Sequence, residues 1–249
     1  MYSKYIMKTS KSQQDQTRRH IVRTSVDLIT LHGYEATSMK QIARAAGIGD
    51  ATIYKYFPTK EKLLLDYFEL TVADVLQATA ATPALAEFSL QERLQLLVDG
   101  VLESLLGDRE FVAITRAIVG RSPLLMMRDD MPAQQALKQQ VIAWLSDAEA
   151  AGDIAACPFK NMIGGLFADY LFAVLIYWLN DETEEFSDTT QLVDLTLGVL
   201  VLALKSGVFN KLSELTGFLV RSQLSRLMRN GSGLLDMLSM ARSRMGGGQ

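Results

Sequence analysis

The apolar residues of this 249-residue chain recur at helical spacing almost throughout, and no run alternates as a half-buried strand would. Leu90, Leu94, Leu97, Val98, Val101 and Leu105 show the pattern, lying on one face of a helix. That periodicity restricts the fold to the all-α class. With 49% hydrophobic and 21% charged residues, the chain can bury a sizeable core. Its length suits a small head on a larger body.

Local punctuation divides the pattern into elements. The first helix is expected over about Gln16 to His32, with Val22, Val26 and Ile29 inward, and Gly33 stands where a left-handed cap is wanted. Ser38 and Gln41 are spaced as a capping box, opening a short helix that Gly47 ends. Another short helix covers about Ala51 to Phe57 and stops before Pro58. A fourth begins near Lys60 and buries Leu64, Tyr67, Phe68 and Val75.

The body follows. Ser89 and Glu92 form a second capping box, and a helix of about Glu110 to Val119 comes next. A Pro- and Met-containing stretch, Ser122 to Pro132, leads to a helix carrying Leu137, Val141, Trp144, Leu145 and Ala148. Helices of about Phe159–Leu179 and Asp188–Lys205 are apolar almost all round, separated by an acidic linker. Asp169 and Asp194 interrupt them, so buried helices are expected rather than membrane spans. A further helix reaches about Arg229, and Asn230-Gly231-Ser232-Gly233 sets off a tail expected to pack on its own domain or on a second copy.

Charge is unevenly spread. Residues 1–60 hold ten Lys/Arg against four Asp/Glu, whereas the rest holds 15 against 24, within a net charge of −3. A basic head on an acidic body points to a polyanion partner for the head. The stretch Thr37 to Lys60 supplies the form: two short helices joined by a glycine-containing turn, a helix-turn-helix. Ile42, Ala43, Ala46, Ile48, Ile53 and Phe57 set the helix crossing. Lys40, Arg44, Thr52, Tyr54, Lys55 and Tyr56 fall between them, a basic, hydroxylated and aromatic set suited to groove and phosphates.

Catalytic and metal chemistry find little support. His20 and His32 both lie on the first helix outside any ligand motif, and Cys157 is the lone cysteine. Gly47-Ile48-Gly49 lacks the third glycine and preceding strand of a nucleotide loop, and Glu182 to Glu185 reads as a solvated linker. No cofactor, metal site or enzymatic activity is expected. The polar start and single cysteine lead to an expected cytoplasmic location.

Residues 17–68 resemble the tetracycline-repressor (TetR) family of bacterial regulators. The matching residues are His32-Gly33-Tyr34, Thr37-Ser38, Ile42 through Ile48, Thr52 through Phe57, Lys60-Glu61 and Leu63-Leu64. The resemblance implies that Thr37 and Ser38 open the first motif helix near a phosphate and that Lys40 enters the major groove to read a base. It implies phosphate contacts for Thr52, Tyr54 and Lys60, and base or backbone contacts for Lys55 and Tyr56. Tyr56 departs from the family, where a histidine is common at its position.

The expectation is therefore a three-helix DNA-binding head followed by a larger helical ligand-binding and dimerisation domain. Its parts are a flexible basic arm (1–16), the helix-turn-helix domain (17–62), an effector-binding and dimerisation domain (63–229) and a tail (230–249). The partners expected are double-stranded operator DNA, a second copy of the chain, and a small apolar or amphipathic effector that releases the repressor. The candidate effector pocket is Phe111, Met126, Met127, Trp144, Asp169, Tyr170 and Tyr177. The alternative is a DNA-bound adaptor for another protein. An enclosed apolar cavity favours the effector; a filled core with an exposed apolar patch favours the adaptor. Helices 159–179 and 188–205 are expected to form a four-helix bundle across a two-fold axis, with Gly164, Gly165 and Gly198 allowing close approach.

Overall fold

A computed structural model describes residues 2–121 and 132–222, and among them every regular element is a helix. The elements are α1 (Tyr2–His32), α2 (Met39–Ala45), α3 (Asp50–Tyr56), α4 (Lys60–Ala80), α5 (Leu90–Leu106), α6 (Arg109–Arg121), α7 (Pro132–Ala151), α8 (Lys160–Leu179) and α9 (Ser187–Ser206). A tenth, α10, covers 208–222. Residues 2–16 continue α1 backwards rather than forming a separate arm. No glycine or proline interrupts positions 2 to 32, so backbone propensity sustains the helix where apolar periodicity is missing. Likewise, the expected boundary at residue 62 falls inside the continuous α4.

The short head helices are fixed by their ends. Ser38 caps α2: its Oγ accepts from Gln41 N, while Gln41 Oε1 accepts from Ser38 N at 2.7 Å. At the other end Gly47 sits at φ +67°, Gly47 N donates to Arg44 O, and Ile48 N donates to Ala43 O. This pair of bonds closes α2 as a Schellman motif, where a left-handed glycine is favoured.

Helix α4 is the centre of the molecule. It packs on α1 in the head and on α5, α6 and α7 in the body. Three arginines of α1 reinforce that union. Arg18 Nε and Nη2 each donate to Asp66 at 2.6 Å, and Arg19 clamps Asp74 with both Nη atoms. Arg23 reaches Asp108 at the start of α6, and Tyr67 Oη donates to the same carboxylate at 3.0 Å. Burial, then Asp108, pushes the Tyr67 phenol up, so it remains a donor. Three of the ten basic residues counted in the head are thus paired with Asp66 and Asp74 of α4 and with Asp108 just before α6.

The far helices are tied by polar caps. Arg109 Nη2 donates to the carbonyls of Trp178, Leu179 and Asp181, satisfying the C-terminus of α8. Asp181 is buried, unlike the exposed Glu182, Glu184 and Glu185 beside it. It accepts from the hydroxyls of Thr183 and Thr189 and from both their backbone N–H groups. Those bonds hold its carboxyl well below the usual range.

Gly164 faces α7: an added Cβ would lie 2.9 Å from Ile142 Cγ1 and 3.0 Å from Lys138 O. Its small size serves packing within the chain, not the expected approach of a second copy. Gly198 faces Gln91 of α5. Both α8 and the segment Glu184–Ser206 are long and apolar enough to cross a membrane. Their exposed residues form stripes: Met162, Leu166, Ile176 and Tyr177 on α8, and Leu195, Val199 and Leu202 on α9.

Candidate nucleic-acid interface and body cavity

Helices α2 and α3 bury one face each and leave the other open. Met39, Ile42, Ala43, Ala46, Ile53 and Phe57 are all buried. Ser38, Lys40, Arg44, Thr52, Tyr54 and Lys55 are exposed. They form the basic and hydroxylated surface of the motif, and α3 presents Thr52, Tyr54 and Lys55 from a single turn. Tyr56 is half-buried and rests against the core, its ring 6.4 Å from that of Phe57.

Two expected contacts sit differently. Thr37 is only 1% exposed, and its hydroxyl donates to Gly33 O at 2.8 Å and reaches Leu28 O at 3.3 Å. Its side chain seals the α1–α2 corner instead of facing a phosphate. Lys60 Nζ donates to Tyr34 O and Thr37 O and lies 3.8 Å from the Tyr34 ring centroid. The ammonium therefore ties α4 to that corner. Tyr34 Oη completes the tie by donating to Glu61 at 3.0 Å. Sequence spacing places Lys60 beside the motif but does not reveal that backbone carbonyls claim its charge.

The body contains a cavity of about 100 Å³ lined by residues of α4, α5, α6, α7 and α8. Its walls include Leu65, Phe68 and Val72 of α4, Leu105 of α5, Leu137 of α7 and Phe172 of α8. Glu69, Arg116 and Gln134 supply polar groups in the lining.

None of the described candidates from the sequence lines this cavity. Phe111 is fully buried, packed edge-on against Tyr67 with ring centroids 4.9 Å apart. Trp144 faces a groove between α5 and α7, and Asp169 and Tyr177 border separate surface depressions. Tyr170 Oη bonds Thr196 Oγ1 at 2.8 Å, joining α8 to α9. Met126 and Met127 lie outside the described residues. The lining is drawn from five helices, so apolar composition alone does not reveal which residues meet.

Comparisons with known proteins agree with this architecture. Residues 21–67 match the family model for bacterial regulatory proteins of the tetR family, and residues 93–219 match the tetracyclin repressor-like C-terminal domain. The HTH-type transcriptional repressor NicS of Pseudomonas putida is 31% identical over 183 residues, covering 70% of this chain and 81% of the relative. The HTH-type transcriptional regulator AcrR of Shigella flexneri is 25% identical over 194 residues, covering 71% and 88%. Among solved structures, Salmonella enterica GusR superposes with a TM-score of 0.57 at 22% identity, over 77% of this chain and 96% of that one. FadR from Bacillus subtilis, solved in complex with stearoyl-CoA, gives 0.54 at 20% identity over 72% and 96%. With matches to both head and body, the chain belongs to the TetR family and is a DNA-binding transcriptional regulator.

Proposed function

We propose that the protein is a homodimeric repressor whose grip on operator DNA is weakened by a small molecule held in the α4–α8 cavity. The observation that carries this reading is the double role of α4. Its Leu65, Phe68, Glu69 and Val72 form cavity wall. Its first residues, Lys60 and Glu61, are bonded to the corner that opens the helix-turn-helix. A molecule that spreads the cavity displaces α4 and the head attached to it. Such a molecule must bind the DNA-incompetent arrangement more tightly, and operator DNA must then weaken its binding by the same factor.

The apolar lining of this cavity favours an effector over the protein-adaptor alternative. NicS is named a repressor, and the FadR structure holds stearoyl-CoA, so both activities have precedent in this fold. At the DNA, Lys40 reads a base, while Ser38, Thr52, Tyr54 and Lys55 hold phosphates and groove edges. A second copy covers the apolar stripes of α8 and α9, because exposed apolar surface of that extent is costly in water. Two heads then meet successive major grooves about 34–36 Å apart.

Sequencing genomic DNA fragments retained by the purified protein tests the reading. An inverted repeat with half-sites one helical turn apart is expected. Retention without any shared sequence contradicts a specific operator function.

A further inference from the structure

Two residues in the cavity lining carry buried acceptors with no partner among the described residues. Glu69 is 7% exposed, and its Oε2 accepts from Ala133 N in the first turn of α7 at 3.0 Å. Its Oε1 is buried and has no hydrogen-bond partner among the described residues. The same is true of Oε1 of Gln134. The Ala133 bond places Glu69 beside the first turn of α7, and Gln134 is the next residue along. Buried oxygens of this kind are normally paired, and each unpaired one is costly. Around them the wall is apolar.

We propose that the cavity takes a compact apolar molecule carrying a hydrogen-bond-donor head, an ammonium or a hydroxyl, which Glu69 and Gln134 receive. This rests on the cavity's being the effector site. The assignment follows from complementarity: the free Glu69 oxygen requires a donor, the Gln134 amide can meet a head group through its oxygen or its NH2, and a carboxylate head would set a second anionic acceptor beside Glu69. Burial, the leading influence, pushes the Glu69 carboxyl up, while the Ala133 N–H pulls it down. A cationic head in contact reinforces the downward pull and favours the carboxylate. An ammonium is thus preferred to a neutral hydroxyl. Arg116 lines the same cavity and provides the competing anchor, since a carboxylate head would be drawn to its guanidinium.

The volume of about 100 Å³ sets the scale of the probes. A cavity of about 150 Å³ holds benzene, so single-ring molecules are the largest probes to try and require this one to expand by about half or more. Benzylamine, benzyl alcohol, toluene and benzoate differ chiefly in the head group. Their binding to the full-length protein without DNA is measured by ligand-observed NMR and calorimetry at millimolar concentration. The expected order is benzylamine, then benzyl alcohol, then toluene and benzoate, with roughly tenfold between the first and last. Glu69→Gln keeps an acceptor but removes the charge, so it should erase the advantage of amine over alcohol. Gln134→Leu should weaken both while leaving toluene unchanged. Since Glu69 also caps α7, the head-group ranking is the readout, which a purely structural role would not reorder.

Benzoate binding best, an unchanged ranking in both variants, or no binding by any probe overturns the proposal. A parallel operator titration separates this inference from the release reading. If the amine binds in the expected order but leaves operator affinity unchanged, the head-group assignment stands and release through this cavity fails.

Discussion

Replacing Arg18 with Met tests whether polar clamps hold the head on α4. The guanidinium makes two bonds of 2.6 Å to Asp66, whose side chain is 6% exposed against 36% for Arg18. Stranding one partner of a fully buried pair costs about 3–5 kcal/mol, whereas an exposed pair is worth about 0–1 kcal/mol. The partial exposure of Arg18 places Arg18→Met between these limits, at about 2–3 kcal/mol. Asp66→Leu should cost less, about 1 kcal/mol, because the freed guanidinium can reach water. The double variant removes both charges and should cost about 1 kcal/mol, giving a coupling of about 2–3 kcal/mol. Urea unfolding followed by circular dichroism, at one fixed protein concentration, measures all four corners. Additivity within about 0.5 kcal/mol would refute the clamp and leave apolar packing as what docks α1 on α4.

Three further outcomes are expected. Gly164→Ala drives a Cβ against Ile142 and the Lys138 carbonyl, and should cost about 1–2 kcal/mol in urea unfolding despite alanine's better helix propensity. Lys60→Ala removes two charge-assisted bonds to Tyr34 and Thr37 and should lower stability by about 1–2 kcal/mol in the same assay. The Asp181 carboxyl is held below its unfolded value, so its contribution is complete above about pH 4 and is lost as pH falls below that. Asp181→Asn should lower the urea midpoint at neutral pH and flatten the loss of stability on acidification.

The helix-turn-helix was legible because its signals are local. Ser38 and Gln41 cap across three residues, Gly47 permits the turn, and Ile42, Ala43, Ile53 and Phe57 mark the buried faces. The fold class was legible for the same reason. What sequence concealed depends on distant partners. Arg18, Arg19 and Arg23 add to the positive count of the head, yet their charges meet Asp66, Asp74 and Asp108. Asp181 belongs to an acidic run, and only the return of Thr189 against it distinguishes a buried cap from a solvated linker. The cavity was hidden more deeply, since Leu65, Leu105, Leu137 and Phe172 become neighbours only when five helices pack.

The central claim is that the open face of α2 and α3 engages DNA. Its most direct test is operator affinity against salt concentration for Lys40→Ala, Lys55→Ala, Lys60→Ala and the parent. Each phosphate contact contributes about 0.9 to the logarithmic salt slope. Lys55→Ala should lower the slope by about that amount per lost contact, and Lys40→Ala should relax base preference at one position in each half-site. Lys60→Ala should leave the slope unchanged, since its ammonium is bound to two carbonyls. Parental affinity, slope and base preference in both Lys40→Ala and Lys55→Ala would contradict the account.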